Sequence, residues 1–135
     1  MAELADAIFH RLDNFSGLSS LVTSRIYRGM APANPTKPFV VYQHISGSRF
    51  QSIGGPVGMA QPRIQIDCYD DTLDGAHAVA TQIRFALDGY EGTNASVEIT
   101  GSTLLTDFDL IEEGITPALR RVTMDFLISH RENTS

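Results

Sequence analysis

The sequence predicts an α+β fold: a two-layer sandwich with two helices on one face of a mixed or antiparallel sheet of about 4–5 strands, carrying a long β-hairpin arm. Three observations lead there. Two segments repeat apolar residues at the helical period, whereas "RIQIDCY" and "ALRRVTMDFLISH" alternate apolar and polar residues at period two. The elements run α–β–β–β–α–β–β, and two helices cover only one face of such a sheet, leaving the other for solvent or a partner. Between two strand-like stretches the chain spends "SRFQSIGGPVGMAQPR", Ser48 to Arg63, where two residues would suffice to turn.

Each element has its own reason. "AELADAIFHRLDNF" places Leu4, Ile8, Leu12 and Phe15 on one helical face. Gly17 is placed to end that helix, and Leu18, Leu21 and Val22 form a short turn that packs down. "RIYRGM" reads as a short strand, and Pro32, Pro35 and Pro38 make the stiff extended connector after it. "FVVYQHI" is apolar on both faces, as a central strand requires. In "RIQIDCY", Ile64, Ile66 and Cys68 point one way, while Arg63, Gln65, Asp67 and Tyr69 point the other. Asp71 or Thr72 caps the second helix, which buries Ala76, Val79, Ala80, Ile83 and Leu87 and ends at Gly89. "ASVEITGSTLL" is a strand with a bulge or bend at Gly101, and "TDFDLIEEGITP" reads as an acidic turn. In the last strand Val122, Met124, Phe126 and Ile128 face in, while Arg121, Thr123, Asp125 and Ser129 face out.

Composition narrows the function. A chain of 135 residues with 42% hydrophobic and 19% charged residues suits one domain, 1–135, that folds without disulfide or metal. Cys68 is the single cysteine, as expected of a protein made in a reducing cytoplasm. No apolar run approaches a bilayer span, and the first residues lack the basic start of a signal peptide. A net charge of −6 with one lysine argues against gripping nucleic acid by its phosphates, yet an acidic surface lets DNA slide past.

A search for chemistry returns little. Gly54, Gly55 and Gly58 lack the Lys-Ser/Thr of a phosphate loop and read as a flexible loop. His10 and His77 read as solvated helix residues, while His44 and His130 lie near strand ends where they could meet. None of the four has metal-ligand spacing. Cys68 sits on the inward face as a small hydrophobe. Asp70, Asp71 and Asp74 cap a helix start and complement its dipole, with a weak divalent-cation site as the lesser reading. Asp107, Asp109, Glu112 and Glu113 read as a solvated acidic turn or half of an intersubunit salt bridge. An enzyme has no residues to stand on, so no catalytic residue, cofactor or metal is assigned.

The series "SRIYRGMAPANPTKPFVVYQHISG", "RIQIDCYDDTLDGAHAVATQIRFALDG" and "RRVTMDFLISHRE" resembles the tail-completion, or tail-terminator, proteins of long-tailed bacteriophages and of phage-like gene transfer agents. The resemblance runs from about Leu4 to His130 and departs around Asp107 to Glu113. It implies a structural virion protein at the head-proximal end of the tail. Such proteins form a homohexameric ring that caps the tail tube, ends its polymerisation and docks to the head-tail connector or stopper, with DNA only as transiting cargo and no membrane partner. The excursion of about 46–61 then becomes an assembly arm. Phe50, Ile53, Val57 and Met59 are its anchors and Arg49 and Gln51 its polar contacts, because aromatics, Met and Arg concentrate at interface cores. The bland reading folds those apolar residues back on their own sheet. Arg63, Gln65, Asp67, Arg121, Thr123 and Asp125, on the uncovered sheet face, complete the expected interface. The alternatives are a head-side connector or stopper ring of the same particle, and a small-ligand-binding α+β domain.

Overall fold

The structure, a computed structural model, describes residues 4–46, 49–52, 55–112 and 119–131; for 46, 49–52, 55–59, 111 and 112 only the backbone path is described. Three helices and eight strands are present among them: α1 (Leu4–Asp13), α2 (Ser16–Val22), β1 (Ile26–Arg28), β2 (Phe39–Ser46), β3 (Arg49–Ser52), β4 (Gly55–Ala60), β5 (Arg63–Asp70), α3 (Leu73–Leu87), β6 (Gly92–Asn94), β7 (Val97–Glu112) and β8 (Leu119–Arg131). The α+β class holds, with one helix and several strands more than the sequence signalled.

One curled sheet contains every strand. Parallel β1 flanks β2, β2 pairs antiparallel with β5, β5 with β8, β8 with β7, and β7 with β6. The excursion is a continuation of the sheet: β3 and β4 prolong β2 and β5 as a hairpin, with Arg49 opposite Ala60 and Ser52 opposite Gly55. Ala60 also lies opposite His130, so the base of the hairpin is tied to β8.

Period-two alternation sets the core. Ile64, Ile66 and Cys68 from β5 and Val122, Met124, Phe126 and Ile128 from β8 are buried on one face, together with Val40 and Tyr42 of β2. All three helices pack there. Helix α1 contributes Ala7, Ile8 and Leu12, α2 contributes Leu18 and Val22, and α3 contributes Ala76, Val79, Ala80, Ile83, Ala86 and Leu87. The alanines of α3 let it lie close to the sheet. Thr72 is its N-cap, its hydroxyl accepting from the Gly75 amide at 3.1 Å, and Gly89 takes the left-handed φ of 77° just past its end.

Several expectations are corrected. Gly17 does not end α1, which stops at Asp13; it opens α2, where a Cβ would collide with the Gln82 amide of α3. Leu21 points outward rather than packing down. The acidic stretch from Thr106 to Glu112 is no turn: it is the distal half of β7, paired with β8 from Asp125 to Leu119. Its alternation of Asp107 and Asp109 with Phe108 and Leu110 is a strand pattern, masked by acids that disfavour strands. The bulge expected at Gly101 is there, between Ile99 and Gly101, and a second follows between Leu104 and Thr106. Glu113 lies outside the described residues.

Candidate assembly surface

The uncovered face of the sheet gathers the six polar residues singled out from the sequence. Register puts Asp67 opposite Thr123 and Gln65 opposite Asp125, so each pair points to the same side. The Thr123 hydroxyl donates to Asp67 Oδ1 at 2.7 Å, and Gln65 Nε2 donates to Asp67 Oδ2 at 3.1 Å. Diagonally, Arg63 Nη2 donates to Asp125 Oδ2 at 2.9 Å. Arg121 Nη1 donates to the Tyr69 hydroxyl at 3.2 Å, with its guanidinium 5.8 Å from the Tyr69 ring. Two arginines and two aspartates leave this lattice neutral.

It is less open than its alternation implied. Asp67 is 3% exposed, Thr123 2% and Asp125 9%, although none of the described helices covers them. Neighbouring side chains shield them. Phe39, Val41 and Leu119 form a second, smaller core on this face, joined by Tyr27, Ala31 and Tyr69. Phe39 and Tyr69 stack at 4.8 Å with planes 11° apart, and Tyr27 tilts against Phe39 at 6.3 Å. The face is therefore half core. Arg63, Gln65 and Arg121 remain partly exposed at its surface, and Phe108 of β7, opposite Thr123, stands about half in solvent.

The arm residues divide differently. Arg49, Phe50 and Gln51 lie on β3, and Val57 and Met59 on β4, with side chains outside the described set; Ile53 lies outside the described residues altogether.

The candidate chemical groups settle into structural roles. Burial, reinforced by the Asp67 charge, pushes the Cys68 thiol far above its ordinary range, so no thiolate is available there. His10 meets Asn94 Oδ1 at 2.9 Å, and His77 Nε2 meets Asp109 Oδ1 at 2.9 Å, so both have protein partners. His44 and His130 do not meet. His44 is in register with Ile64, Ile64 with Phe126, and His130 lies four residues further along β8. Asp70 accepts from the Asp71 amide at 2.8 Å, and Asp71 pairs with Lys37 at 2.9 Å. Among the described residues no three His, Cys, Asp or Glu side chains converge as metal ligands, and no helix is long and apolar enough to cross a membrane. A groove between α1 and β1, lined by Phe9, His10, Asp13, Tyr27, Met30 and Tyr42, is open to solvent rather than closed around a ligand. Burial raises the Tyr42 pKa, which Arg28 partly offsets and Asp6 reinforces; its hydroxyl donates to the Ala5 carbonyl at 3.0 Å.

Comparison with known proteins supplies the context. The family model described as tail completion protein gp17 matches residues 6–131. Among solved structures, a chain from the virion of a native gene transfer agent particle superposes with a TM-score of 0.76 at 19% identity, over 93% of this chain and 92% of that one. A second solved chain gives a TM-score of 0.63 at 8% identity, over 98% and 95%. At these identities both show a shared fold. No curated protein matches closely enough to count as a relative.

Proposed function

We propose that this chain, which belongs to the tail completion protein gp17 family, is a structural component of a phage-type tail that closes the head-proximal end of the tail tube. Copies assemble there as a ring, six-membered by analogy with the resemblance in the sequence. The ring ends tube polymerisation and offers a docking surface to the head connector, and DNA passes through its lumen. The observation that carries this reading is the family match across 6–131. The likeness in fold to a chain of a gene transfer agent virion agrees with it.

The physical features fit without having demanded it. A hairpin that prolongs the sheet gives a subunit something to reach with. The polar lattice, with Arg63, Gln65 and Arg121 partly exposed beside Phe108, offers a surface that is ordered before a partner arrives, which lowers the entropic cost of docking. A heterologous contact that closes on itself makes a ring. A net charge of −6 keeps transiting DNA from sticking.

Negative-stain imaging of the purified protein, alone and mixed with tail tubes, tests the reading. Rings, or density on one end only of each tube, are expected. Tubes that remain bare and continue to elongate in its presence would show that the chain is no terminator, and the head-side connector would take its place.

A further inference from the structure

The outer edge of β7 is sealed at its near end. β6 pairs with Val97 to Ile99, the Gly89 amide donates to the Ser102 carbonyl at 2.7 Å, and the Leu104 amide donates to Asp88 Oδ1 at 3.0 Å. Beyond Leu104 the strand runs on to Glu112 with β8 on one side and, among the described residues, no strand on the other. The ladder fixes which groups are left there. Leu104 turns its amide outward, and the register slips between Leu104↔Phe126 and Thr106↔Asp125. The outward amides and carbonyls after the slip therefore belong to Asp107, Asp109 and Ile111.

A second bare edge lies on the opposite side of the sheet. β1 accompanies β2 only from Val40 to Tyr42, where the Val40 amide donates to the Arg25 carbonyl at 2.9 Å and the Tyr42 carbonyl accepts from Gly29 at 2.8 Å. By the same alternation the next outward groups belong to His44. No described strand lies along β2 beyond that point or along the outer side of β3.

We propose that copies of this chain join by strand addition, the β2–β3 edge of one copy pairing with the distal β7 edge of the next. The inference rests on the ring reading above and specifies its contact. Two observations select this occupant over any other strand. Charge differs between the two edges: β2 and β3 carry no acid and one arginine, Arg49, whereas Asp107 to Glu113 holds four acids and no base; Lys37 and Arg63 already pair with Asp71 and Asp125 within the subunit. Two β7 edges placed together would set like charges opposite one another, which disfavours a symmetric dimer and favours the head-to-tail contact. Exposed apolar side chains also flank both edges, Ile45 (41%) on one and Leu105 (46%) and Phe108 (47%) on the other. A long bare edge with such neighbours is a template for another strand.

The test uses one proline on each edge. Asp107→Pro and His44→Pro each delete an outward N–H that the subunit's own sheet does not use, which an edge strand tolerates. Sedimentation velocity is run in free solution and with tail tubes present. The unmodified chain and Asp107→Asn are expected to assemble, and each proline variant alone to stay monomeric. Mixed in equal amounts, the two variants pair through their remaining edges into a dimer and nothing larger, which also shows that both are folded. Either variant assembling like the unmodified chain overturns the proposal, as does a mixture of two folded variants that stays monomeric. In a Cys68→Ala background, Ile45→Cys and Phe108→Cys chains should form a disulfide with each other and not with their own kind; absence of the mixed product also counts against it. If the unmodified chain assembles under neither condition, the ring reading falls first and this contact with it.

Discussion

Replacing Thr123 by valine separates the two roles the uncovered sheet face could have, holding the subunit together or waiting for a partner. Thr123 is 2% exposed and its hydroxyl donates to Asp67 Oδ1 at 2.7 Å, on a carboxylate that is itself 3% exposed. Valine keeps the shape and removes the donor. A hydrogen bond to a buried charge contributes about 1.5–3 kcal/mol, and the better strand preference of valine returns a few tenths, so the expected loss is about 1–2.5 kcal/mol. Asp67→Ala deletes the Gln65 bond as well and strands the Thr123 hydroxyl, for a loss of about 2–4 kcal/mol. In the double variant the stranded hydroxyl is gone, so the two losses fall short of additive by about 1–2 kcal/mol. With a urea dependence of about 1.5 kcal/mol per M, Thr123→Val lowers the denaturation midpoint by roughly 1 M. The assay is urea unfolding of the monomer followed by circular dichroism. A Thr123→Val change under about 0.3 kcal/mol with no coupling to Asp67 would refute the reasoning, because the bond between Thr123 and Asp67 would then contribute nothing to the subunit.

Cys68 in the folded protein should not react with a thiol reagent at pH 8 faster than the chain unfolds. Because burial raises its thiol pKa, the unfolded chain loses its proton first; stability therefore falls above about pH 8.5, by at most about 1.4 kcal/mol per pH unit from this group, and Cys68→Ala removes that slope in pH-dependent urea titrations. Gly89→Ala places a side chain at a φ of 77° and should cost about 1 kcal/mol in thermal unfolding, with Gly89→Asn costing less. Phe50→Ser with Ile53→Ser is expected to leave the melting temperature of the monomer nearly unchanged while abolishing capping of tail tubes in negative stain; a large loss of stability would instead place both residues in the subunit's own core.

The parts of the fold legible in the sequence are those where one physical signal dominates. Alternation in β5 and β8 named seven buried residues, Ile64, Ile66, Cys68, Val122, Met124, Phe126 and Ile128, because one face of each strand meets the helices. Helical periodicity did the same for α3, and cap chemistry marked its ends at Asp71 or Thr72, of which Thr72 is the cap, and at Gly89. Alternation tells which face a residue takes and nothing of how deep that face lies. Asp67 and Asp125 were therefore legible as outward, and their burial was not, since it depends on what the neighbouring strands set beside them, Val41 and Thr123 opposite Asp67 and Gln65 and Thr106 opposite Asp125. Helix α2 was blurred by its serines and glycine, and its contact with α3 at Gln82 is a tertiary fact. β6, at three residues, is too short to leave a pattern.

The largest misreading has a different cause, and it bears on function. Thr106 to Glu112 combines a strand's alternation with a loop's composition. Acids are depleted in strands because a central strand is flanked on both sides and solvates them poorly. That penalty does not apply to a strand whose outer edge is bare, and there the same acids discourage pairing with a like edge. Local propensity and global fold disagree here because the segment is built for a setting the isolated subunit lacks. The β3–β4 hairpin fits the same description. Gly54, Gly55 and Gly58 read as a flexible loop within the expected arm, yet Gly55 to Ala60 is strand β4; the hairpin extends β2 and β5 across register slips at His44/Ser46 and Arg49/Gln51, and no described strand lies along its outer side. Both conflicts lie at unpaired edges of the sheet, and none lies in the helix-covered core, where pattern, propensity and burial agree. Strand addition between copies would remove both conflicts at once, since each bare edge would then supply the neighbour that the other's sequence already anticipates.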